Sequence, residues 1–294
     1  MKLNGMNLTE LDKNLTDAER EEWRAIYASY TSSSVISGSV VGVDLHEMNI
    51  VPKGKRKPML QTVRCLIVIK YRVKIIIPEH EVFANELDMG YHILHSMCGA
   101  NISYVITHIE REAGFAIASR RLALEKVRMT NKHRDISVGQ SVNAEIISVG
   151  RNMCTAHYLG YDSEVPQREA SHNYIPDLRD VIHTGDKVRA VVKEFDSEAG
   201  KLVLSIKEGT AHPFDGVETR HPIGSSRMAT IVGKYNGGVI CTLYDGATDV
   251  ICSYSAMQYD GDFKTGDKVE IIIRKYNETR KLVYGKILRK IRSR

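Results

Sequence analysis

The stretch Gly185 to Glu208, GDKVRAVVKEFDSEAGKLVLSIKE, returns in weakened form at Gly266 to Lys290 (GDKVEIIIRKYNETRKLVYGKILRK) and at Gly99 to Arg121 (GANISYVITHIEREAGFAIASRR). In each copy a glycine turn leads into alternating apolar residues: Val188, Ala190, Val192; Val269, Ile271, Ile273; Ile102, Tyr104, Ile106. A polar turn and a second alternating run follow, which is the pattern of a strand hairpin. The first strand closes in the same register each time, on Phe195, Tyr276 and Ile109. One structural unit therefore occurs three times.

What precedes each hairpin repeats more faintly. A first strand (38–43, 142–149, 227–233) is followed by two more that close on a short motif: Ile77-Pro78-Glu79-His80-Glu81, Val165-Pro166-Gln167-Arg168-Glu169, and the segment 251–256. Five strands per unit, with a longer excursion between the third and fourth, fit the five-stranded Greek-key OB barrel. The predicted fold is all-β, three tandem barrels with a leader. The expected divisions are a leader with a helix at 1–34, barrel one at 35–121, a helical linker at 122–134, barrel two at 135–208, a linker at 209–224 and barrel three with a basic tail at 225–294.

These residues resemble the S1-type RNA-binding domain, the unit repeated in the large ribosomal protein S1. The middle unit is similar at both ends, through Val138-Gly139-Gln140-Ser141-Val142 and through Gly185-Asp186-Lys187-Val188 with Phe195-Asp196 and Lys201-Leu202-Val203-Leu204-Ser205-Ile206-Lys207. The resemblance implies RNA binding, with bases stacked on second-strand aromatics and a histidine before the short motif. Those second-strand positions fall on Arg64 and Ile67, Asn152 and Thr155, and Gly237 and Ile240, none of them aromatic; the histidine position falls on Pro78, Pro166 and Ser253. The family's acid-and-base pair around the last hairpin falls on Asp196 and Lys201 in unit two, and on Asn277 and Lys281 in unit three.

The formal charge of +5 is unevenly spread. Residues 1–35 carry 4 basic and 6 acidic groups, 36–134 carry 15 and 9, 135–210 carry 8 and 12, and 211–294 carry 14 and 9. A polyanion is drawn first to the outer units, because Lys and Arg contacts to phosphate release counterions. The loop Lys53-Gly54-Lys55-Arg56-Lys57 borders the ligand groove of an OB fold, so it reads either as a clamp on a nucleic-acid backbone or as a solvated basic loop. Arg64, Lys70, Arg72 and Lys74 extend the basic surface of unit one, and the tail from Lys286 to Arg294 that of unit three.

Bases also need stacking surfaces. Tyr71 sits at a hairpin tip between Lys70 and Arg72; His157, Tyr158 and Tyr161 flank the equivalent tip of unit two; Tyr235, Tyr244 and Tyr254 gather in unit three. Tyrosines in strands are also ordinary half-buried residues, and that alternative stands beside the stacking one.

The leader differs in kind. Thr16-Asp17-Ala18-Glu19 is a capping box, and Trp23, Ile26, Tyr27 and Tyr30 follow at helical spacing. This apolar face either docks on barrel one or takes a partner. A second helix is expected at 122–130 as a connector.

No apolar run is long enough to span a membrane, and MKLNGMNLTELDK is too polar for a secretory signal, so the expectation is a cytoplasmic protein. The five cysteines, Cys65, Cys98, Cys154, Cys241 and Cys252, lack a C-x-x-C pair and read as reduced thiols. His92, His95 and Cys98 have helical spacing but no fourth ligand, so no metal is expected. Neither a cofactor loop nor a catalytic set is recognisable. The functional expectation is a non-catalytic protein holding single-stranded RNA, or less readily single-stranded DNA, with low sequence specificity. Ribosome, polymerase or another assembly are the larger partners considered. The alternative is a protein-interaction scaffold that keeps the barrels without the nucleic-acid face.

Overall fold

The computed structural model describes residues 16–50, 59–70, 72–84 and 91–291. Three five-stranded units follow one another. The first holds β1 (Ile36–Ile50), β2 (Met59–Lys70), β3 (Val73–Pro78), β4 (Asn101–Glu110) and β5 (Phe115–Ser119). The second holds β6 (Ser141–Val149), β7 (Met153–Tyr158), β8 (Tyr161–Pro166), β9 (Lys187–Asp196) and β10 (Lys201–Ser205), and the third β11 (Ser226–Tyr235), β12 (Gly238–Leu243), β13 (Asp249–Ser253), β14 (Lys268–Asn277) and β15 (Leu282–Lys290). Units one and three close in the OB order, with β3 parallel to β5 and β13 parallel to β15.

The middle unit departs from the expected closed barrel. Its ladder is open between β8 and β10. There the Leu204 N–H donates instead to the Ser163 hydroxyl at 2.9 Å, both residues being buried. A side chain thus satisfies a donor that a strand carbonyl satisfies elsewhere.

The repeated glycine of the hairpin motif has a physical cause. Gly99, Gly185 and Gly266 sit at φ of +91°, +92° and +92°, where a side chain is strained. Each donates its N–H to a first-strand carbonyl, to Val40 at 2.8 Å, Ile146 at 2.7 Å and Ile231 at 2.8 Å. The turn therefore pins the fourth strand to the first. Just past that contact each first strand has a β-bulge, between Val40 and Gly42, Ile146 and Ser148, and Ile231 and Gly233. The extra residues are Val41, Ile147 and Val232.

Helices join the barrels more closely than a linker reading suggests. Helix α1 (Asp17–Ser32) begins with the capping box formed by Thr16 and Glu19. It places Trp23 and Ile26 in the core of barrel one, with Tyr27 and Tyr30 packed beside them. The Arg111 guanidinium lies 4.5 Å from the Trp23 ring centre. These four residues are thus covered by their own chain. Helix α2 (Tyr91–Ser96) lies between β3 and β4. Helix α3 runs from Arg120 to Thr130, two residues earlier than the spacing predicts, because the Ser119 hydroxyl caps it. Its Ala123 and Leu124 are buried. The segment ahead of barrel three is likewise packed: Val217 belongs to that barrel's core, the half-buried Phe214 packs against it, and His221 bonds Asp245 at 2.8 Å.

Candidate nucleic-acid interface

The strand registers align the outer faces of the three barrels residue by residue. Gly42, Ser148 and Gly233 pair with Ile67, Thr155 and Ile240, and two residues further along, Ile69 pairs with Lys74, His157 with Asp162, and Thr242 with Asp249. This is the β1–β2–β3 surface on which OB folds take ligands.

In barrel two this surface faces barrel one across a cleft of about 450 Å³. Phe83 and Ile93 of unit one supply its apolar side, and Asn152, Thr155, Arg151 and Arg179 of unit two its polar side. The two second-strand positions identified from the family pattern, Asn152 and Thr155, are therefore brought to a concave site. The Thr155 hydroxyl is oriented by Ser148 at 2.9 Å. Arg151 is exposed, and Arg179 is anchored on Asp177 through Nε at 2.9 Å. Neither arginine stands out in the sequence, and nothing in the local pattern marks Phe83 or Ile93 as their counterpart, since the pairing arises only when consecutive barrels meet.

Arg120 spans the same junction. It is buried, donates to the Val82 carbonyl at 2.9 Å, and holds both carboxylate oxygens of Asp162 at 2.7 and 2.9 Å. His157 bonds the same carboxylate at 2.8 Å. Burial by itself raises Asp162, but the Arg120 charge and the hydrogen bonds from His157 and Arg120 outweigh it and hold the acid far below the usual carboxylate range.

The second junction carries another concavity, of about 500 Å³, lined by Arg168, His172, Asn173, Tyr174, Lys207 and His212 among others. The His172 and His212 rings lie 4.2 Å apart. Burial, then the neighbouring His172 and lysines, lower His212 below the ordinary imidazole value. Tyr174 crosses to barrel three, where its N–H donates to Asp249 at 2.6 Å. Its ring lies against Gly233, where a β-carbon would come within 2.7 Å of it.

The other expected contacts are scattered. Lys53, Lys55, Arg56, Lys57 and Tyr71 lie outside the described residues, as do Arg292, Ser293 and Arg294 of the tail. Arg64 pairs with Glu79 at 2.8 Å, Arg72 with Glu22 at 3.2 Å, Lys74 with Asp44 at 3.2 Å, Lys201 with Glu194 at 2.9 Å and Lys281 with Asp215 at 3.3 Å. Exposed pairs of this kind hold their partners weakly. Lys70 ends β2 beside the tip.

Several aromatic candidates serve the fold instead. Tyr161 is buried, edge-on to Phe195 at 5.2 Å, with the Arg128 guanidinium 4.4 Å from its centre; it offers no open face to a base. Tyr158 packs against the same core. Tyr254 stacks on Phe263 at 5.5 Å and donates to Asp260 at 2.6 Å. Burial first, then that bond, push it up to about 12. Tyr235 and Tyr244 remain exposed. Asp196 and Asn277 close turns by accepting backbone N–H groups, from Glu198 and Ala199 at 2.9 Å and from Arg280 at 3.0 Å. In barrel one, Ile67 is buried with Val63, Cys65 and Ile76 against Met48 and Phe115.

Comparison with known proteins bears on the middle unit. Residues 135–207 match the model of the S1 RNA binding domain. The chain is 27% identical over 191 residues to a 4-hydroxy-3-methylbut-2-enyl diphosphate reductase of Clostridium acetobutylicum, covering 63% of this chain and 29% of that protein. It is 26% identical to the small ribosomal subunit protein bS1 of Leuconostoc lactis, covering 53% of this chain and 37% of the relative. The chain thus spans well under half the length of these curated relatives. Among solved structures, a Pyrococcus horikoshii a/eIF2alpha–aDim2p–rRNA complex is similar at 22% identity and a TM-score of 0.25, over 26% of this chain and 48% of that one. The matched segment coincides with the glycine-pinned five-stranded middle unit, so residues 135–207 are the part of this chain that belongs to the S1 RNA binding domain family.

Proposed function

We propose that this chain is a non-catalytic cytoplasmic protein that holds single-stranded RNA with low sequence specificity, in translation or RNA metabolism. The observation that carries the reading is the cleft between the first two barrels, where Asn152 and Thr155 meet an apolar wall formed by Phe83 and Ile93. That wall stands where the family's stacking aromatics are missing. A base inserts between Ile93 and the β7 surface, while Arg151 and Arg179 take the flanking phosphates. Charge contacts of this kind do not discriminate bases, hence the low specificity.

The test is fluorescence anisotropy of a labelled single-stranded RNA against the full chain at several salt concentrations. Affinity should fall steeply with salt, and Arg151→Glu with Arg179→Glu should flatten the log–log slope by about 0.7 for each phosphate that is no longer neutralised. No binding at low salt overturns the reading.

A second reading, a protein-interaction scaffold, is favoured by two observations. The outer surface of barrel one around Ile67 is buried by its own chain, and that of barrel three is met by Tyr174. Retention of a protein assembly by nuclease-treated material, together with no RNA affinity, would favour it.

A further inference from the structure

The aligned faces reveal one arrangement made twice and left open once. Bulge residue Ile147 is 2% exposed because it packs into the core cluster of unit one. Val232, its counterpart in barrel three, is half-buried beside Gly233, which Tyr174 of unit two covers. In both cases the segment that covers the bulge is the connection between the third and fourth strands of the preceding unit, through α2 in one case and Tyr174 in the other. A carboxylate two residues along the face takes a hydrogen bond from that preceding unit each time, Asp162 from Arg120 and Asp249 from Tyr174.

Barrel one has the same bulge, and among the described residues no other unit covers it: Val41 is 60% exposed and Ile69, at the position of His157, is 55% exposed, while the neighbouring Ile67 is covered from within the unit. The matching connection of barrel three shows Met257 at 91% and Tyr259 at 73% exposure. Helix α1 does not occupy the open position. Glu22 holds the β2–β3 tip at Arg72 as Arg128 holds the β7–β8 tip at Gly160, and α3 leaves Ile147 accessible to the preceding unit. The charges differ in sign too. Where barrels two and three present Asp162 and Asp249, barrel one presents Lys74, held by Asp44 at 3.2 Å, while the barrel-three connection carries Asp260, held by Lys234 at 3.1 Å, and Asp262; both surface pairs are exchangeable on docking.

We propose that a second copy of this chain docks its barrel-three connection, through Met257 and Tyr259, onto the Val41–Ile69–Lys74 face of barrel one, continuing the internal barrel-to-barrel packing from head to tail. An interface between two different patches is heterologous, so a dimer keeps one free head and one free tail and can add further copies. The inference is independent of RNA binding.

The experiment is sedimentation velocity of nuclease-treated full chain over a concentration series reaching the high micromolar range, with circular dichroism confirming that each variant is folded. Wild type should show concentration-dependent growth beyond a dimer. Val41→Asp and Met257→Asp, both at exposed sites, should each weaken self-association by about tenfold or more, because a charge then replaces an apolar side chain that the interface buries. Mixed together they should recover a dimer and no larger species, because one retains an intact tail and the other an intact head. A chain that stays monomeric, association that neither variant weakens, or variants that fail to complement each other would overturn the proposal. An isologous interface gives that last result.

Discussion

Arg120 and Asp162 form a bidentate ion pair between the helix that leaves barrel one and the third strand of barrel two, with the guanidinium 1% exposed. An unpaired guanidinium in that setting is costly, so the pair fixes one orientation of the two barrels and with it the width of the cleft.

Removing the acid should therefore be expensive. Asp162→Asn leaves Arg120 buried with a neutral partner and should cost on the order of 3 kcal/mol, read as a lower urea midpoint at neutral pH. The carboxylate is depressed in the folded state. Its contribution is fully present above the unfolded value near ~4 and is lost as pH falls through the lower folded value. Wild type should thus lose more stability than the variant on acidification, and parallel pH profiles would contradict this.

Trp23 is the only tryptophan of the chain and lies in the barrel-one core beneath Arg111. Its emission should be blue-shifted and only weakly quenched by acrylamide. Trp23→Ala should destabilise by about 3–5 kcal/mol. Free quenching in the native protein would mean that α1 is not docked.

Cys65, Cys154, Cys241 and Cys252 are buried and Cys98 is exposed. Burial, helped by Glu79 and Asp44, pushes the Cys65 thiol up to about 12, and burial pushes Cys154 to about 11. Since the thiolate is the reactive form, a thiol reagent at neutral pH should titrate one cysteine rapidly and the other four only after denaturation. Loss of the fast phase in Cys98→Ser identifies it.

Gly233→Ala tests the second junction. The added methyl would meet the Tyr174 ring at 2.7 Å, and such overpacking costs about 1–3 kcal/mol unless the ring moves. Combining it with Tyr174→Ala should recover part of the loss in thermal denaturation. Strict additivity would show that the two residues do not touch in solution.

The repeat, the strand order and α1 were legible because they rest on local chemistry. A glycine is required at φ near +90°, period-two alternation marks each half-buried strand, and Thr16 with Glu19 marks a helix start. Single residues misled where one pattern has two outcomes. Tyr161 alternates as a surface residue does, yet Arg128 and Phe195 enclose it. Ile147 reads as one more strand hydrophobic, although the bulge turns it outward into unit one.

The sequence by itself determined the three units and their charge, since turns, alternation and composition are written within a few residues of one another. Only the tertiary structure decided which faces are covered and where the cleft opens. Phe83 and Asn152, or Arg120 and Asp162, meet through the docking of separately folded barrels. Such meetings depend on the complementarity of whole surfaces, and no local periodicity records them.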